Sequence, residues 1–69
     1  MVKEIKRLNE AEIGRVLKRL RTEKGLTLKQ LADMSGVTQS AISRYENNKR
    51  MPTMIVLYAL MNALEVDLF

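Results

Sequence analysis

Gln39, Ser40, Ser43 and Arg44 lie close together in the sequence; each ends in a hydrogen-bonding group and none is acidic. Amide, hydroxyl and guanidinium groups without carboxylate suit the edges of paired bases, which offer mixed donors and acceptors along a polyanionic backbone. They do not suit catalysis. The sequence has no histidine and no cysteine, no cluster with metal-ligand spacing and no glycine-rich phosphate loop. Nucleophilic, metal-assisted and nucleotide-dependent chemistry therefore lack candidate residues, and neither an enzyme nor a cofactor is expected.

Charge points the same way. Twelve basic residues face eight acidic ones in 69, and all twelve, with six of the acidic residues, fall in positions 1–50. The remainder carries only Glu65 and Asp67. A basic body with an apolar, faintly acidic end fits a polyanion on one side and a protein contact on the other. The segment from Met1 to Asn9 alternates charge with single apolar residues and does not read as a secretory signal. The longest apolar run, Met54 to Met61, is too short to span a bilayer. A single cytoplasmic domain is the expectation, and with 46% hydrophobic residues its stability must come from a packed core.

The elements that would position the cluster are helical. Asn9 and Glu12 have capping-box spacing, and Ile13, Val16, Leu17 and Leu20 follow at helical period, which predicts a helix over Glu10 to Lys24. Gly25 supplies the left-handed stop, and Lys18, Arg19, Arg21 and Lys24 sit where the helix dipole is negative. Thr27 and Gln30 repeat the box and open a short helix with Leu28, Leu31, Ala32 and Met34, ending at Ser35-Gly36. Thr38 caps a third helix, Gln39 to Asn47, with Ile42 and Tyr45 facing inward. Asn47-Asn48 closes it, because asparagine tolerates the left-handed conformation. Pro52-Thr53 starts a fourth helix, Met54 to Leu64, and the pattern contains no strand.

Two short helices joined through Gly36 make a helix-turn-helix, since the tight turn needs a residue free to take positive φ. Ala32 lets the two helices approach, and Val37, Ile42 and Tyr45 seal their interior. Together with Ile13-Gly14, Leu20-Arg21, Lys24-Gly25-Leu26-Thr27, Leu31-Ala32, Ile42-Ser43-Arg44-Tyr45-Glu46 and Lys49-Arg50-Met51-Pro52, this pattern resembles the Cro and phage-repressor type of helix-turn-helix regulators over residues 12–68. The resemblance implies an all-α, lambda-repressor-like bundle of roughly four or five helices, with residues 1–8 as an arm and 9–69 as the domain. It also implies a DNA-binding transcriptional regulator whose third helix enters the major groove and which binds two-fold operators as a dimer. Thr38, Gln39, Ser40, Ser43 and Arg44 would then approach base edges or adjacent phosphates. Gln39 suits adenine N6 and N7, and Arg44 suits guanine O6 and N7. Asn47, Lys49 and Arg50 match the loop that touches the sugar-phosphate backbone, and Arg21 and Glu46 match an internal ion pair.

Three departures from the family pattern bear on these expectations. Leu28 stands where a phosphate-contacting glutamine is frequent, so that anchor is either lost or passed to Lys29 or Gln30. Asn48 and Glu65 each replace a frequent glycine. Arg15, Lys18 and Arg19 read as plain surface, and Lys3, Lys6 and Arg7 as either a phosphate-seeking arm or a solvated terminus. Met34, Met51, Met54 and Met61 read as core or interface packing.

The fourth helix is apolar all round. Projected at about 100° per residue, Met54, Leu57, Leu60, Met61 and Leu64 form a face that completes the core. The other side presents Ile55, Val56, Ala59, Ala63 and Val66, with Asn62 its polar group. In a chain this small, a second apolar side must be covered by another molecule. A homodimer through Ile55, Val56, Ala59, Asn62, Val66, Leu68 and Phe69 is the expectation. A different protein partner on the same helix is the alternative, which would make the chain an antitoxin or regulatory module.

Overall fold

The computed structural model describes residues 10–66. The arm over residues 1–8, the cap expected at Asn9, and the interface residues Leu68 and Phe69 lie outside the described residues. All regular structure among the described residues is helical: α1 (Glu10–Glu23), α2 (Leu28–Ser35), α3 (Gln39–Glu46) and α4 (Met54–Ala63).

Local chemistry sets the starts. Thr27 stands in extended conformation before α2 and accepts from Gln30 N, while the Gln30 side chain accepts from Thr27 N at 2.8 Å. This reciprocal box satisfies donors that no helical carbonyl can reach. Thr38 accepts from Ala41 N at 3.1 Å and opens α3, and Thr53 accepts from Val56 N at 3.2 Å and opens α4.

Three ends use one device. After α1, Leu26 N donates to Arg21 O and Gly25 N to Thr22 O; after α3, Lys49 N donates to Arg44 O and Asn48 N to Tyr45 O. After α4, Val66 N donates to Met61 O and Glu65 N to Asn62 O. Each pair of bonds closes a helix through one left-handed residue, here Gly25, Asn48 and Glu65, with φ of 70°, 59° and 60°. Lys24, Asn47 and Leu64 are therefore caps rather than last helical residues, one position inside the ends predicted from sequence. α2 stops at Gly36, φ 77°, whose N–H donates to Ala32 O.

α1 packs on α3, and α2 packs on both α3 and α4. Their shared core is Leu17, Leu31, Ile42, Tyr45, Leu60, Met61 and Leu64. Each of the five leucine and isoleucine side chains among these is fully excluded from water, and each such burial contributes about 1.5–3 kcal/mol before entropy is counted.

α4 sits at a different rotation from the expected one. Met54, expected in the core, is 75% exposed, beside Ile55 at 83% and Tyr58 at 55%. Val56 and Val66, expected on the outer side, are half-buried against the core, as is Ala63. Ala59 is half-buried and Asn62 exposed. The inward arc is Leu57, Leu60, Met61 and Leu64; Met54 lies at its edge, in the first turn, ahead of any buried residue of the helix. Met34 and Met51 are exposed as well, so of the four methionines read as packing residues only Met61 is buried.

Candidate nucleic-acid interface

α3 divides cleanly. Ile42, Tyr45 and Glu46 are buried, while Gln39, Ser40 and Arg44 are exposed and Ser43 is half-buried. The exposed cap Thr38 spends its oxygen on Ala41 N and keeps its hydroxyl hydrogen free to donate. The structure thus brings the five expected base-edge residues together on one rim of the molecule, at the start and along the outer side of a single helix.

Two contacts hold that helix from behind. Arg21 of α1 donates from Nε to Glu46 Oε2 at 2.7 Å and from Nη2 to Glu46 Oε1 at 3.0 Å, and its Nη1 donates to Leu26 O at 2.8 Å. The fork-to-fork geometry fixes direction as well as distance. The Glu46 hydrogen bond, reinforced by its charge, raises the Arg21 pKa above the ordinary guanidinium value although burial opposes it. The second contact is Gly14. A Cβ there would run into Tyr45 O and Asn48 Oδ1, so a glycine at this point of α1 lets the end of α3 lie directly on it.

The expected backbone-contacting residues differ in what they have free. Lys49 and Arg50 are exposed, and like Arg44 they have no carboxylate partner among the described residues. Asn47, itself exposed, folds its amide back onto its own helix, donating from Nδ2 to Ser43 O at 2.8 Å and to Ser43 Oγ at 3.3 Å. Lys29 pairs with Asp33 at 3.3 Å, both well exposed. Gln30 uses its carbonyl oxygen in the capping box, which fixes the side chain and leaves its NH₂ group to donate. A groove between α2 and the start of α3 is lined by Lys29, Ala32, Asp33, Val37, Thr38 and Gln39.

Residues 17–69 match the helix-turn-helix family model HTH_3. This chain belongs to the Cro/C1-type helix-turn-helix family. As a family member it is a DNA-binding transcriptional regulator, a class of binding proteins rather than of enzymes. It is 44% identical over 55 residues to the uncharacterised HTH-type transcriptional regulator y4dJ of Sinorhizobium fredii, a match covering 80% of this chain and 71% of that one. It is also 44% identical over 54 residues to the HTH-type transcriptional repressor RghR of Bacillus subtilis, covering 77% of this chain but 40% of that longer protein. Among solved structures, a mutant of the restriction-modification controller protein C.Esp1396I superposes with a TM-score of 0.80 at 38% identity, over 83% of this chain and 74% of that one. No helix among the described residues of this family member is long and apolar enough to cross a membrane.

Sequence reasoning missed two features of the site. One is the brace from the Asn47 amide to Ser43; its position at a helix end was the available signal, since asparagine there bonds back to carbonyls. The other is Tyr58, exposed on the apolar side of α4 between Ile55 and Asn62, which helical spacing alone places on that stripe.

Proposed function

We propose that this regulator is a repressor that reads an approximately palindromic operator as a homodimer, each copy laying α3 in the major groove. The observation that carries the reading is the outer rim of α3, where Gln39, Ser40 and Arg44 are exposed with no side-chain partner among the described residues while Glu46 anchors the helix from behind. Unspent donors on a fixed support are what base readout requires. Gln39 grips adenine through N6 and N7, Arg44 grips guanine through O6 and N7, and Thr38 and Ser43 donate their hydroxyl hydrogens to nearby acceptors. Lys49 and Arg50 neutralise phosphates on one flank. Lys29 and the Gln30 amide serve the other, Lys29 exchanging Asp33 for phosphate. Asn47 acts through Ser43, which it orients.

The second copy docks on the outer side of α4. Residues Met54–Ala63 include no charged side chain, whereas the chain as a whole is +4. Two identical basic molecules repel wherever their charged surfaces face one another, so an uncharged side suits self-association better than any other part of the surface. The dimer face is Met54, Ile55, Tyr58, Ala59 and Asn62, with Val56 and Val66 contributing their exposed edges. Occlusion of a promoter is the simplest mode of repression for such a domain, and the likeness to a named repressor supports it.

Selection from random duplexes, comparing the natural sequence with Gln39→Ala and Arg44→Ala at two salt concentrations, tests this. The expected result is an enriched near-palindrome with half-sites about 34 Å apart, centre to centre. Each substitution should relax one base position at a cost of about 1–3 kcal/mol. Absence of any enriched sequence, with both variants binding like the natural protein, would remove α3 as the reading element.

A further inference from the structure

The outer side of α4 carries a thioether where an interface in a cysteine-free chain has other choices. Met54 is 75% exposed, the most accessible of the described methionines, and it stands one helical turn from Tyr58 and next to Ile55 on the uncharged stripe. With no cysteine in the chain, methionine sulfur is its principal target for two-electron oxidants. Met61, at 6% exposure, is sheltered in the core. Met34 on α2 and Met51 ahead of Pro52 are exposed but lie outside α4.

We propose that Met54 is an oxidation site through which peroxide controls self-association, and hence DNA binding, of this regulator; the inference rests on the α4 dimer reading given above. One peroxide oxygen is transferred to Sδ. The O–O bond breaks, an S–O bond forms, the sulfur is oxidised by two electrons, and hydrogen peroxide leaves as water with no net proton change. The product is a polar, chiral sulfoxide in place of a flexible apolar side chain. In a two-fold interface both copies carry it, so two polar S–O groups must be desolvated on a face that otherwise buries apolar side chains. The separated chains expose Met54 and the dimer covers it. Oxidation therefore proceeds through the separated form and holds it there, as any change favouring one state does by mass action.

The experiment treats the full chain with hydrogen peroxide, locates added oxygen by peptide mass spectrometry, and follows sedimentation before and after. It is run on the natural sequence, on Met54→Leu and on the double variant Met34→Leu/Met51→Leu, with methionine sulfoxide reductase added last. Expected is oxygen uptake at Met54 ahead of Met61 and a dimer dissociation constant raised about tenfold or more. The same loss should appear in the double variant, none in Met54→Leu, and recovery should follow with the reductase. A dimer unaffected by oxidation of Met54, or an equal loss in Met54→Leu, overturns the proposal and leaves the dimer standing. An untreated protein that stays monomeric at high micromolar concentration overturns the dimer reading and this proposal with it. Circular dichroism of the oxidised protein separates the two routes to dissociation, since unfolding would also overturn a specific effect at α4.

Discussion

Arg21 and Glu46 are few atoms from the reading surface yet face away from it, and the ion pair they form decides where that surface points. With side chains 12% and 4% exposed, both charges depend on each other far more than on water. Removing one partner should cost about 3–5 kcal/mol, much of it the penalty of stranding the other. Arg21→Met and Glu46→Leu are expected each to lower stability by that amount in chemical denaturation, while the double variant recovers a large part of it. The glycines divide by mechanism in the same way. Gly36 has open space around the position of a Cβ but φ of 77°, so Gly36→Ala should cost only the left-handed penalty, about 1–2 kcal/mol. Gly14 has an ordinary φ but backbone and amide oxygens where the Cβ would go. Gly14→Ala must therefore push α1 off the end of α3, and it should weaken DNA binding as well as stability. Equal effects of the two substitutions on both measurements would refute the distinction.

At the scale of the helix, the ends carry the information. Thr27→Ala and Thr38→Ala each delete a cap and should each cost about 1 kcal/mol in thermal or urea unfolding. The Thr38 variant should lose DNA affinity beyond that, because the first turn of α3 frays. The turn after α4 is held by Lys24 Nζ on Glu65 Oε1 at 2.8 Å, and this hydrogen bond lowers the Glu65 pKa below its ordinary 4.5. A carboxylate whose folded pKa is depressed adds stability that is fully present above the unfolded value and is lost as pH falls through the folded one. Lys24→Ala should therefore remove a small, salt-sensitive increment at neutral pH and none once the solution is acidic enough to protonate Glu65 in both proteins. These starts and stops were legible in the sequence, because Thr27-Gln30, Thr38, Gly25, Gly36 and Asn48 each have a local reason to be where they are. The rotation of α4 was not legible. Asn62 apart, every arc of that helix is apolar, so periodicity gives too narrow a polar boundary to orient it, and packing against α2 selects Leu57, Leu60, Met61 and Leu64 over Met54. The brace from Asn47 back to Ser43 was hidden for a related reason, since a helix-end amide reads equally well as a brace or as a contact until its partners are placed.

For the whole molecule, the two binding events proposed here have opposite electrostatics. DNA binding by Arg44, Lys49 and Arg50 releases counterions from phosphate, so affinity falls as salt rises, with a logarithmic slope of about −0.9 per neutralised phosphate. Lys49→Ala should make that slope shallower by about one for each copy bound, without changing which sequence is preferred. Self-association brings together two chains of charge +4 through an uncharged side of α4. Salt screens their repulsion and leaves the apolar contact intact, so the dimer should tighten as ionic strength increases. Ile55, at 83% exposure, contributes little to the isolated fold, and Ile55→Lys should leave the thermal transition of the monomer within about 0.5 kcal/mol while abolishing the dimer. Its operator affinity should then fall to that of a single half-site, with roughly half the salt slope of the natural protein, because half the phosphates are contacted. Sedimentation and duplex binding across a salt series measure both quantities on the same samples. A dimer that loosens with salt, or an Ile55→Lys protein that binds the full operator with an unchanged slope, would place the second copy on some other, charged surface.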